Sequence, residues 1–207
     1  STPPMNNSPS RYNKLTNSLH WLMLLLMIAV YATIELRVMF PKGAPPREAI
    51  KALHFMLGLC VLLLVVPRLV ARLFGTTPAI QPPMSGLMTF AAKGAHLALY
   101  GLMIGMPILG WMVLSASGKP IPFFGLNLPA LMAENKALGK ELKEIHEVVG
   151  TLGYYLIGLH ALAALYHHYV KRDILANAWK TLCQSIIVNC HTNNHSSIIT
   201  HEHISQY

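Results

Sequence analysis

The sequence predicts an all-α integral membrane protein built as a four-helix bundle, and three observations lead there. Of its 207 residues, 53% are hydrophobic and only 12% charged, with a mean hydropathy of +0.43; a soluble domain carries about a quarter charged residues. The apolar residues gather into four runs, each near the roughly 20 residues a helix needs to cross a bilayer. None of the runs shows the alternation of a strand. The same composition excludes collagen-like, disordered and disulfide-scaffold classes.

The elements follow in order. A polar segment, 1–17, precedes the first span, 18–34, which is extended by 35–40. That run is as long as the others and lacks a small-residue cleavage site, so it reads as a span and not as a signal peptide. Residues 37–51 contain Pro41, Gly43, Pro45 and Pro46 and read as a turn-rich loop. The second span, 50–70, contains Pro67, and the third, 96–116, contains Pro107; membrane helices tolerate proline where neighbours satisfy the freed carbonyl. Between them, 75–83 is a Pro-rich linker. The longest connection, 115–143, holds a mildly apolar stretch, 121–131, too short and Pro-broken to span, and is expected as a loop on the bilayer surface. The fourth span is 145–170, so the membrane domain covers 18–173. A polar tail, 174–207, follows, with a weak amphipathic pattern over 174–188.

The formal net charge is +8, from 16 Lys+Arg and 8 Asp+Glu. The basic residues are scattered without an aromatic-basic stripe, which argues against a nucleic-acid partner. Four spans put both termini on one side, but Lys+Arg divide 8 and 8 between the two sides, so the positive-inside rule leaves orientation open. Acidic residues are less even. Only Asp173 and Glu202 lie on the terminus side, so most of the surplus positive charge is there, where it suits anionic headgroups.

The chemistry lies in the histidines. The chain has 11, and His20, His54, His96, His146, His160, His167 and His168 all lie in or near spans. A single such residue reads as a helix-end group bonded to a carbonyl; several in one bundle point to a cofactor, because bundle cores are where such sites are built. His146 and His160 are fourteen residues apart, which returns to nearly the same helix face about 21 Å further along. One ion cannot reach both, whereas two stacked macrocycles can each take one. Depth then pairs His54 with His146 near one membrane face, and His160 with His20 or His96 near the other. Imidazole at both axial positions points to haem b and to outer-sphere electron transfer. The three cysteines, Cys60, Cys183 and Cys190, cannot supply a four-thiolate cluster. There is no C-x-x-C-H for thioether-linked haem. Gly58, Gly150, Gly153 and Gly158 would let a flat ring approach the helices, or simply allow helix–helix contact, as Gly101 and Gly105 do in a G-x-x-x-G.

These residues resemble the bacterial cytochrome b561 family of four-helix dihaem membrane cytochromes. The resemblance covers about residues 11–173 and is carried by Arg11-Tyr12 through His20-Trp21, Glu35-Leu36-Arg37 with Phe40-Pro41, His146-Glu147, and above all GYYLIGLHALAALYHHY at 153–169. It implies His20 and His160 as ligands of an inner haem b, in preference to His96, and His54 and His146 as ligands of an outer one. It also implies an inner-membrane location with both termini cytoplasmic. The family includes a superoxide oxidase, which takes an electron from superoxide at the periplasmic face and delivers it to ubiquinone. On that resemblance His96 and His167 fall in the quinone pocket and Lys143 in an outer basic patch. The family usually ends soon after the position of Asp173; the tail with His191, His195, His201 and His203 departs from it and reads as solvated chain.

The residues themselves fit that activity. Lys51 and Lys143 each precede an outer histidine by one helical turn, placed either to focus an anion or to neutralise haem propionates. His96 and His167 can donate to quinone carbonyls and supply protons. The leading expectation is an oxidoreductase moving electrons from superoxide to ubiquinone through two b haems. The alternative is a non-catalytic haem subunit relaying electrons between quinone and a periplasmic redox partner. A proton-relay transporter is disfavoured by the lack of acidic residues within the spans and of repeat symmetry.

Overall fold

A computed structural model describes residues 11–74 and 85–171. The expected linker 75–83, the tail 174–207, Cys183 and Cys190 lie outside the described residues. Four long helices dominate: α1 (Arg11–Leu36), α2 (Pro45–Phe74), α3 (Gly86–Ala116) and α4 (Lys136–Leu165). Each includes an apolar segment long enough to cross a bilayer, with mean hydropathy of 2.0, 2.4, 1.9 and 1.6 in chain order. The all-α membrane expectation is met. Pro67 and Pro107 do sit inside α2 and α3.

The helix ends depart from expectation for local reasons. Pro45 and Pro46 do not lie in a loop; they open α2, where a missing N–H costs nothing and φ is already helical. A single 3-10 turn, Arg37–Met39, leads into that entry. Helix α3 starts ten residues earlier than the third apolar run, because Ser85 caps it by accepting from the Met88 N–H at 3.4 Å. Helix α4 also starts early, at Lys136: Asn135 Oδ1 accepts from the Leu138 N–H at 3.1 Å. After Leu165 the chain under-winds into a π-helical turn, Tyr166–Lys171, so His167 does not keep the α register with His160 that the sequence spacing assumes.

The connection between α3 and α4 is not simply a loop. Two short strands, β1 (Ile121–Phe123) and β2 (Leu126–Leu128), form an antiparallel hairpin. Its two-residue turn places Phe124 (φ 46°) and Gly125 (φ 86°) both in the left-handed region, the geometry of a type I′ hairpin. Of the two prolines in 121–131, Pro122 sits inside β1 opposite Asn127, which a strand with a free edge accepts, and Pro129 follows β2. Trp111 Nε1 donates to the Pro129 carbonyl at 2.9 Å, and the Leu131 N–H donates to the buried Ser115 Oγ at 3.0 Å, tying the connection to α3.

The chain divides into two compact units, Ser1–Leu156 and Ile157–Tyr207. In the first, Met23 of α1, Val61 and Val65 of α2 and Met103 of α3 form one buried cluster. Leu59, Leu114 and Ile121 form another, which seats the hairpin against α2 and α3. The first half of α4 joins them through Tyr31, whose hydroxyl donates to the Gly150 carbonyl at 2.9 Å. Large apolar side chains such as Leu87, Phe90 and Leu97 stay on the outside, as a hydrocarbon surrounding requires. In the second unit, the His167 ring lies 5.9 Å from that of Tyr166, and His168 lies 5.0 Å from Tyr169.

Candidate functional site

A cavity of about 640 Å³ opens within the first unit at the level of the α2 N-terminus and the hairpin. That volume is within the range of cofactor sites. Its wall includes His54 from α2 and His146 from α4, together with Lys51 and Lys143 one turn before each of them. Four residues singled out in the sequence thus meet at one place.

The two imidazoles have their ring centroids 6.3 Å apart and their planes at 82°. An ion held by one nitrogen of each ring, at about 2 Å from each, sets the centroids roughly 6 Å apart. The orientation of His54 is fixed from behind. Its Nδ1 lies 2.9 Å from the Val30 carbonyl, an acceptor only, so Nδ1 carries the proton and Nε2 keeps its lone pair. A backbone carbonyl behind a ring nitrogen is the usual support of a metal-ligating histidine. Thr33 Oγ1 stands 3.5 Å from the same Nδ1 while donating to the Val30 carbonyl at 2.8 Å, which holds that stretch of α1 in place. On the other side, His146 Nδ1 is buried and has no hydrogen-bond partner among the described residues. A buried polar atom left in this way calls for a partner.

Glycine makes the space. A Cβ on Gly110 would come 3.3 Å from His146 Cε1, so the glycine lets that ring lie against α3. A Cβ on Gly58 would meet nothing within 4 Å; this glycine lines the cavity and leaves its wall flat. Gly153 has another role, admitting the Tyr31 hydroxyl and Leu102, and Gly150 meets only Met106. Gly101 and Gly105 meet no neighbour at that distance and border a groove of about 370 Å³ between α3 and α4.

The remaining wall is aromatic and charged. The rings of Tyr31 and Tyr154 pack with centroids 4.2 Å apart and planes tilted by 48°, and Tyr154 donates to Glu35 Oε1 at 2.8 Å. Lys51 is held by Glu48 at 2.7 Å, Lys143 by Glu147 at 2.7 Å, and Arg37 reaches Glu147 at 4.0 Å. Sequence reasoning missed Tyr31, Glu35, Tyr154, Gly110 and Lys119 as wall residues. A carboxylate at the end of an apolar helix is a signal that could have drawn attention to Glu35; nothing local distinguishes the rest.

The other candidates lie elsewhere. His20 on α1 is half-buried, and the Arg68 guanidinium of α2 donates to its Nδ1 at 2.8 Å. With Nδ1 accepting, the proton of a neutral His20 is on Nε2, so iron ligation through Nε2 requires Arg68 to release this ring. His96 is half-buried on α3 and does not line the cavity. His160 and His167 belong to the second unit. No cluster of three or more His, Cys, Asp or Glu suited to a bare metal ion occurs among the described residues. A pair of imidazoles across an open, mostly apolar cavity suits a macrocycle that brings its own equatorial ligands, and this cavity fits haem b.

Comparison with known proteins agrees with this chemistry. The sequence profile described as prokaryotic cytochrome b561 matches residues 11–180. Cytochrome b561 homolog 1 of Escherichia coli (strain K12) is 35% identical over 164 residues, covering 79% of this chain and 93% of that one. The probable superoxide oxidase CybB of Yersinia pestis is 38% identical over 163 residues, covering 79% and 92%. Cytochrome b561 homolog 2 of Escherichia coli (strain K12) is 28% identical over 168 residues, covering 81% and 89%.

Proposed function

The chain belongs to the prokaryotic cytochrome b561 family, multi-pass inner-membrane b-haem proteins that transfer electrons, and from that premise we propose that it is a superoxide oxidase. In this reading superoxide loses one electron at the periplasmic face and leaves as O2. Two such electrons and two protons convert ubiquinone to ubiquinol near the cytoplasmic face, where both termini lie. Two b haems, when bound, supply one-electron carriers at the two membrane levels.

The protein's own residues have separate tasks. His54 and His146 would hold the outer iron, with the Val30 carbonyl keeping the His54 proton on Nδ1. By the family resemblance His20 and His160 would hold the inner iron, which would require Arg68 to move off His20. His96 and His167 bind the quinone carbonyls and deliver protons on reduction. Lys51 and Lys143 form the outer basic patch beside the two outer histidines. The observation that carries the proposal is the His54–His146 pair facing across a cavity of cofactor size. The resemblance to a probable superoxide oxidase supplies the substrate.

A second reading, a relay subunit between quinone and a periplasmic redox partner, is favoured by one observation. Lys51 and Lys143 are each already held by a glutamate at 2.7 Å, which reduces the field they present to a free anion. The two readings separate in proteoliposomes containing the purified chain and ubiquinone. Superoxide added outside should reduce haem rapidly and yield ubiquinol. If haem reduction is no faster than in a Lys51→Gln/Lys143→Gln variant and the quinone stays oxidised, the relay reading replaces the oxidase.

A further inference from the structure

Four cations line the outer cavity: Arg37, Lys51, Lys119 and Lys143. Three of them are ion-paired with Glu48 or Glu147. Lys119 has no ion pair among the described residues, although its side chain is exposed at the cavity rim. The nearest carboxylate along the connection, Glu134, lies against Gly118 and is engaged by Lys136 at 3.6 Å.

Local hydrogen bonds fix the backbone beneath Lys119. Helix α3 ends in a Schellman motif: the Gly118 N–H donates to the Ser115 carbonyl at 3.1 Å and the Lys119 N–H to the Leu114 carbonyl at 3.0 Å. Gly118, at φ 66°, provides the left-handed residue this motif needs. Pro120 and the buried Ile121 then fasten the chain to the hairpin. Lys119 feels the Glu48 carboxylate only at longer range, so an ammonium with no ion pair within 4 Å among the described residues is mounted on this turn beside a cavity whose other cations are directly paired.

We propose that Lys119 is the anion-receiving group of the outer cavity, binding an anionic oxygen: a haem propionate carboxylate or the superoxide substrate itself. This rests on the reading of the cavity as the outer haem site. A propionate held there is neutralised at the cavity mouth. A free anion is drawn to the only lining cation without an ion-pair partner among the described residues, and that attraction weakens with salt.

The test uses the full chain purified with its haem, as wild type, Lys119→Gln and Lys119→Arg. Haem per chain, the midpoint potential of the outer haem, and the rate of haem reduction by a superoxide pulse at several ionic strengths are measured together. If Lys119 receives superoxide, Lys119→Gln slows reduction several-fold at low salt and flattens the salt dependence, with haem content and potential unchanged, and Lys119→Arg restores the rate. If it receives a propionate, Lys119→Gln lowers the outer-haem potential or loses that haem while the salt dependence stays as in wild type. A glutamine variant equal to wild type in content, potential and salt dependence overturns the proposal. A wild type that holds no haem at this cavity instead overturns the reading on which it rests.

Discussion

Alanine at Gly153 puts a methyl group where the Tyr31 hydroxyl lies, and the cost of Gly153→Ala follows from that geometry. A Cβ there would overlap the Tyr31 oxygen and come 3.2 Å and 3.3 Å from the two methyls of Leu102. The leucine methyls end a flexible side chain and can yield. The tyrosine hydroxyl cannot easily do so, because it donates to the Gly150 carbonyl at 2.9 Å and its ring packs against Tyr154. Overpacking of this kind costs about 1–3 kcal/mol, while replacing glycine inside a helix returns about 0.8–1.0 kcal/mol. The net effect in the wild-type background is a destabilisation of up to about 2 kcal/mol. Tyr31→Phe removes the colliding oxygen at the expense of one interhelical hydrogen bond, about 0.6 kcal/mol in a membrane setting. In that background Gly153→Ala should become neutral or stabilising, so the two sites couple by about 1–3 kcal/mol. A double-mutant cycle of unfolding in mixed micelles, followed by circular dichroism, measures this directly. Equal effects of Gly153→Ala in both backgrounds would refute the assignment of Gly153 to the tyrosine hydroxyl.

Two further predictions concern the site and its support. His54→Ala or His146→Ala should each remove one of two b haems, leaving the spectrum of the other, and both together should remove no more than one; a reduced-minus-oxidised spectrum with haem quantified per chain checks this. Gly118→Ala should destabilise the α3 terminus by roughly 1–3 kcal/mol, because the residue is held at φ 66° and a Cβ would stand 2.6 Å from the Glu134 carboxyl. Glu134→Ala should recover only part of that loss in a thermal melt, since the backbone strain remains.

The four helices were legible in the sequence because the cost of putting polar groups into hydrocarbon acts locally, on each run of residues by itself. The helix ends were less so: Ser85 and Asn135 extend α3 and α4 beyond their apolar stretches, and a cap depends on one hydrogen bond rather than on hydropathy. The hairpin at 121–128 was missed because three-residue strands containing a proline leave almost no periodic signal. The depth argument placed His54 and His146 at one level, and they do share a cavity. Gly110 was not anticipated, because which glycine a ring rests on depends on how two helices are rotated against each other.

Composition and hydropathy, read along the chain, were enough for the class of the molecule: membrane helices, with histidines in or near them. Charge was different. Counting Lys51 and Lys143 as a basic patch treated each lysine as free, although Glu48 and Glu147 one turn away on the same helices come within 2.7 Å; the fold adds Arg37 from α1 to Glu147 and leaves Lys119 with no ion pair within 4 Å among the described residues. Hydrophobic burial is a sum over residues and survives in one dimension. Whether a cation is available to a ligand depends on which opposite charge lies within a few ångströms, and only the packed chain decides that.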